Sequence, residues 1–190
     1  MALSLVTAPA RQPVTLQQAK DHLRVDETVD DSVIDPLIKT AREHVEAFTH
    51  RALITQTWDL FLDAFSEIIL MPKAPLQSVT SIKYLDTAGV QQTLASTEYK
   101  VDVASNAARI VPAWGKSWPL VREEINAVEI RFVSGHGDNP EDLASPIIQA
   151  LLLIVAHLYE NREATSNGPA LKELPMGARD LLLPYRNVRF

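Results

Sequence analysis

The chain has no cysteine, which excludes a disulfide framework, a thiolate nucleophile and a cysteine-ligated metal. Such a chain folds most simply in a reducing cytosol. Glycine is scarce as well, six against twelve prolines, which marks a well-punctuated globular chain and not a low-complexity one. Basic charge is in deficit: 18 Lys and Arg face 24 Asp and Glu, for a net charge of -6. The basic residues are also dispersed, so the clustered cations that neutralise phosphates are missing. An unaided grip on nucleic acid is therefore not expected, although passive proximity to DNA is compatible with this balance. The longest apolar run, from Pro146 to Tyr159, is short of the roughly 20 residues that a helix needs to cross a bilayer. MALSLVTAPARQP at the start lacks the basic leader and long apolar core of a secretory signal. Residues 1–14 read as a flexible arm.

What is present suits one domain, since 190 residues with 46% hydrophobic and 22% charged side chains can bury a sizeable core. Thr15 followed by Gln18 is a capping-box pattern, and Leu16, Ala19 and Leu23 then recur at helical spacing. A first helix is expected over 15–24. After the acidic linker DETVDDS, the stripe Ile34, Leu37, Ile38, Ala41, Val45 and Phe48 predicts a longer helix over 31–50. Either Asp31 caps it with Pro36 tolerated early, or Asp35 caps with Pro36 at the first helical position.

From Thr55 the period changes to two. TQTWDLFL, SEIIL, SVTSIKYL, EYKVDV, ARIVPA and NAVEIRFV are rich in β-branched and aromatic residues and predict about six strands, inserted over 55–135. The break DTAG, Asp86 to Gly89, predicts a hairpin over 78–94, with Gly89 supplying positive φ. SGHGDNPEDLASP then gathers turn formers, and Ser145 with Pro146 starts a third helix over 145–162. ATSNGPALKELP has loop composition, and a short amphipathic piece near Ala178 to Leu183 leads to the tail PYRNVRF, all within 163–190. The fold class is α+β: a small bundle of three to four helices with an inserted antiparallel β region.

The third helix poses a problem of cover. PIIQALLLIVAHLYENRE carries no charged residue from Pro146 to Tyr159, whereas a helix on a surface keeps a polar face toward water. Leu151, Leu152, Leu153, Ile154, Val155 and Leu158 need burial on nearly every side, in the domain's own core, in an interface with other chains, or divided between the two.

Several stretches imitate catalytic or ligand-binding motifs. Gly115, Lys116 and Ser117 spell the end of a phosphate-binding loop, but Ile110 stands where that motif needs glycine, and Trp118 and Pro119 follow where it needs a helix. A turn between strands accounts for it. Ser134, His136 and Asp138 lie close together without the glycine-flanked serine elbow of a hydrolase, and near neighbours in a tight turn seldom converge as a triad. Asp26, Thr28 and Asp30 alternate like the start of a calcium loop, but Asp31 and Leu37 occupy the positions that need Gly and Glu. The five histidines form no close ligand pair, and His157 reads as a satisfied core or interface histidine. No catalytic, cofactor or metal site is legible.

As an ordered set, VTLQQAKDHLRVD, AREHVEAFTHRALITQTWDL, PLQSVTSIKYLD, the WGKSWP turn and IIQALLLIVAHLYENRE with LLLPYR resemble the head-to-tail connector (adaptor) proteins of long-tailed bacteriophages, the gp6-like or gp8-like group. His50 departs from that pattern, which has Gly in a Thr-Gly-Arg sequence at the end of the long helix. The resemblance implies a non-enzymatic protein, made in the bacterial host's cytoplasm and placed in the virion neck. Such a protein binds the portal, forms a ring that is dodecameric in the family, meets the next neck or tail protein, and extends the channel through which DNA passes. Residues 15–162 would be the connector domain. The tail would dock into the portal, with Arg179, Leu183, Tyr185, Arg186, Arg189 and Phe190 as contacts. Two further readings are another neck or tail-completion ring protein, such as a stopper or tail terminator, and, more remotely, a small hydrolase built on Ser134 and His136.

Overall fold

A computed structural model describes residues 1–161 and 175–187. Two units divide the chain, one from Met1–Pro9 and Thr55–His136, the other from Ala10–Ile54 and the described residues from Gly137 onward. Among the described residues the first holds the strands and the second the helices, so that, apart from the N-terminal strand, the sheet residues are inserted into the helical sequence.

In the sheet unit, β1 (Ala2–Thr7), β2 (Gln56–Leu62), β4 (Leu76–Leu85), β5 (Gln91–Thr93) and β8 (Val128–Ser134) form one sheet in the order β1-β2-β8-β4-β5. A second sheet has the order β3-β7-β6, from β3 (Ile69–Leu70), β6 (Tyr99–Asp102) and β7 (Arg109–Pro112). Every pairing is antiparallel. Burial alternates strictly along β8: Val128, Ile130, Phe132 and Ser134 are buried, and Glu129, Arg131 and Val133 less so. Side chains point to opposite faces at every step of a strand, so one face enters the core with Leu60, Ile82 and Ile110. On the other face Asp59 and Arg131 stand directly opposite each other, and the guanidinium donates to the carboxylate twice, at 2.8 and 2.7 Å.

Among the described residues there are thus eight strands where the sequence predicts about six. The additional ones are β1 and the short second arm of the hairpin, β5. The expected flexible arm is corrected over Ala2–Thr7, which pairs along β2 from Ala2 opposite Phe61 to Thr7 opposite Thr57. The predicted hairpin forms, with Gly89 at φ 81°. Its turn is closed by Asp86, whose carboxylate accepts from the Ala88 and Val90 N–H groups and from the Gln92 side chain.

The helical unit contains α1 (Leu16–Leu23), α2 (Asp31–Thr49), α3 (Ser145–Glu160) and α4 (Met176–Leu182). The capping box is present: the Gln18 N–H donates to Thr15 Oγ1 at 3.2 Å and the Thr15 N–H to Gln18 Oε1 at 2.9 Å. At α2 the cap position belongs to Asp30 and neither Asp31 nor Asp35. Asp30 instead accepts the Tyr159 hydroxyl at 2.6 Å, while Asp31 takes the Lys20 ammonium at 2.6 Å. Asp30 and Asp31 of the acidic linker are therefore engaged by contacts within the unit. Pro36 lies inside the helix, where its missing N–H removes one i→i−4 hydrogen bond. His50 adopts the left-handed conformation, φ 55°, that the family pattern assigns to glycine. α3 ends at Glu160, short of the expected 162, and residue 162 is outside the described range. No helix among the described residues is long and apolar enough to cross a membrane.

Ile34, Ile38, Ala41 and Val45 of α2 meet Ala19 of α1, Ile147, Ala150, Leu151, Ile154 and Val155 of α3, and Ala178 and Leu182 of α4 in one core. Each buried Leu, Ile or Val there contributes about 1.5–3 kcal/mol.

Candidate functional site

The six apolar residues singled out on α3 divide in two. Leu151, Ile154 and Val155 are buried in the core, and Leu152, Leu153 and Leu158 are only partly buried along its edge. The buried set continues the stripe from Ile147 and Ala150, which is the spacing that turns one helical face inward. The second set leaves leucine surface facing water. His157 is engaged near the helix end, where Asn161 donates its backbone N–H and its amide to the His157 carbonyl at 3.1 and 2.9 Å.

As far as Asn187 the tail beyond α4 packs back onto the helical unit. A 3-10 turn, Leu183–Tyr185, brings the Tyr185 carbonyl to the Arg51 guanidinium, which donates to it. Burial pushes the Arg51 pKa down from its usual value, which fits a cation held partly out of water. The Asn187 N–H donates to the Thr49 carbonyl at 2.8 Å, and the Arg186 guanidinium lies 5.4 Å over the Phe48 ring. Tyr185 packs against the helical core. Arg179, Leu183 and Arg186 remain exposed. Arg189 and Phe190 lie outside the described residues, as does the expected loop ATSNGPALKELP.

The turn between α2 and β2, which contains Leu53, is set by a buried carboxylate. Glu46 accepts the Leu53 N–H at 2.9 Å and lies 3.8 Å from Arg42, both charged side chains being nearly buried. This junction fixes where the long helix ends and the strand sequence begins.

The motif look-alikes have plain roles. WGKSWP is a turn after β7 with Gly115 at φ 73°. Ser134 is fully buried and its hydroxyl donates to the Lys73 carbonyl at 3.2 Å. Among the described residues no group of three or more His, Asp or Glu side chains could hold a metal ion.

One feature escaped sequence reasoning. Between β7 and β8 the chain exposes Trp114 fully, Leu120 by 82% and Ile125 by 80%, an unusual cost for large apolar side chains. The signal was available in the two tryptophans of WGKSWP, but only the structure separates them: Trp118 is stacked on Phe65 at 4.7 Å between ring centres and Trp114 touches nothing comparable.

Three solved structures resemble the chain over its whole length. A chain in the neck of an empty GTA particle computed with C6 symmetry is 26% identical, with a TM-score of 0.81, covering 100% of this chain and 97% of that one. A chain in the virion of a native gene transfer agent particle is 28% identical at a TM-score of 0.81, with the same coverage. A chain in the neck of a native GTA particle computed with C12 symmetry is 27% identical at a TM-score of 0.77, again covering 100% and 97%. No curated protein matches by sequence. Residues 13–112 match the family described as Phage gp6-like head-tail connector protein, a span that runs from the lead-in to the first helix to the end of β7. The chain belongs to that connector family.

Proposed function

We propose that the protein is a structural subunit of the neck of a phage-like particle, where copies of it form a ring that docks under the portal and extends the DNA channel toward the tail. The observation that carries this reading is the full-length likeness to chains of particle necks, at 26% and 27% identity. The C12 symmetry of one of those necks supports a ring of twelve. Three physical features agree with it. The half-covered Leu152, Leu153 and Leu158 are suited to cover by neighbouring chains. The net charge of -6 suits a channel in which DNA slides and is not captured. Exposed Arg179, Leu183 and Arg186, with Arg189 and Phe190 beyond them, supply the mixture of cationic and apolar side chains that recurs in interface anchors. The role involves no catalytic step.

The test is to mix the purified protein with cognate portal rings and image the product. A collar of twelve subunits coaxial with the portal is expected. A product in which the portal stays bare, or carries single scattered copies, overturns the reading.

A further inference from the structure

A closed ring of identical subunits needs two different patches on each copy, one that gives and one that receives, because a head-to-tail contact is not self-complementary. We propose that Trp114 is the giving element and that it seats in a cavity at the start of α1 of the neighbouring copy. This inference rests on the ring reading above.

Trp114 is fully exposed, yet its turn is well held. The Ala113 N–H donates to the Glu98 carbonyl and the Lys116 N–H to the Ala113 carbonyl, each at 2.9 Å. Lys116 also pairs with Glu98 at 3.2 Å. A Cβ placed on Gly115 would meet nothing within 4 Å, so the space beside the tip of the turn is open. An aromatic side chain presented on a fixed turn loses little freedom on docking, and tryptophan is foremost among the residues that dominate interfaces.

The receiving cavity, of about 380 Å³, lies wholly within the helical unit. Val14, Leu16 and Pro140 supply apolar wall, and Asp35 and Glu141 make part of its rim acidic. Arg11 also lines it, but its guanidinium is engaged by the Asn139 side chain at 3.1 Å. Its size is at the lower end of cavities that enclose a small aromatic group. The Gln12 side-chain oxygen on its wall has no hydrogen-bond partner, and turning that amide toward the opening gives the indole N–H an acceptor. Lys116, two residues after Trp114, brings a positive charge to the acidic rim. A second copy is the occupant that supplies one knob for every cavity, which ring closure requires.

The absence of cysteine allows a direct test, since any disulfide is an engineered one. Trp114→Cys and Glu141→Cys, made separately, are mixed on cognate portal rings and oxidised. Expected is a cross-linked dimer containing one of each, with neither variant cross-linking alone. Trp114→Ala, folded by circular dichroism, is expected to lower ring occupancy on portal at least tenfold. Lys116→Glu should weaken assembly, and adding Glu141→Lys in the same chain should restore it. Normal rings from Trp114→Ala, Trp114→Cys pairing with itself, or rings that form but lose the portal overturn the proposal and leave the ring reading standing. If the wild-type protein makes no ring on portal, both fall together.

Discussion

The Asn187 N–H donates to the carbonyl of Thr49 at 2.8 Å, which ties the end of the described chain to the last residue of α2. The segment that resembles a docking tail is therefore part of the fold until that point. Removing residues 188–190 should leave the urea midpoint unchanged while portal binding falls, which a pull-down on portal rings measures. Removing everything after Pro184 also deletes Tyr185 and the Asn187 bond, and should cost about 1–3 kcal/mol in urea unfolding. Undiminished portal binding by the shorter deletion would reject Arg189 and Phe190 as anchors.

The split on α3 makes opposite expectations for adjacent leucines. Leu151→Ala opens a cavity in the core and should lose about 2–5 kcal/mol of stability. Leu152→Asp changes a side chain only partly covered and should retain helicity by circular dichroism while blocking assembly on portal. If the Leu152 variant folds and assembles as wild type does, its edge of α3 is no interface.

Glu46→Ala should destabilise the helical unit by about 1–3 kcal/mol, because the buried Leu53 N–H loses its acceptor. Chemical denaturation reads the loss. Glu46→Gln, which keeps an oxygen acceptor, should recover part of it.

Acid should loosen two turns before it unfolds the protein. The Asp86 carboxyl is held below the usual carboxylate range by the Gln92 side chain and then by backbone N–H groups, and Asp102 likewise, first by Ser105. A depressed carboxylate pKa contributes stability that is present above its unfolded value and lost as pH falls through the folded one. Protection of the Ala88, Val90 and Ala104 amides, taken relative to their intrinsic exchange at each pH, should therefore be unchanged from neutral pH down to the ordinary carboxylate range and fall below it. Protection that is already lost near neutrality would assign the turns to something other than these carboxylates.

How much of this was legible in the sequence differs from element to element. The helices were, because their apolar stripes and the Thr15–Gln18 box are local signals, and so was the hairpin, through Gly89. β1 was not: five of its six residues are exposed, so no alternation marks it, and only pairing with β2 makes it a strand. Nor was the sheet order, since β2 and β8 are partners far apart in the chain and loop closure leaves no local trace. The leucines of α3 were recognised as needing cover, but their division could not be read, because a helix that is apolar on most sides looks the same whichever face is inward. The contacts of the tail beyond α4 were not legible either, because its polar composition hides main-chain bonds to Thr49 and Arg51.

The interrupted order of the helical unit has a consequence for how subunits are made. α1 and α2 leave the ribosome with their apolar faces bare, and the residues that cover them, in α3, are translated only after the whole sheet sequence. A nascent chain stalled anywhere before Ser145 displays that uncovered surface. Completion of translation is thus the step that licenses a subunit for building, and truncated products should be cleared by the host's quality control before they can poison a growing particle.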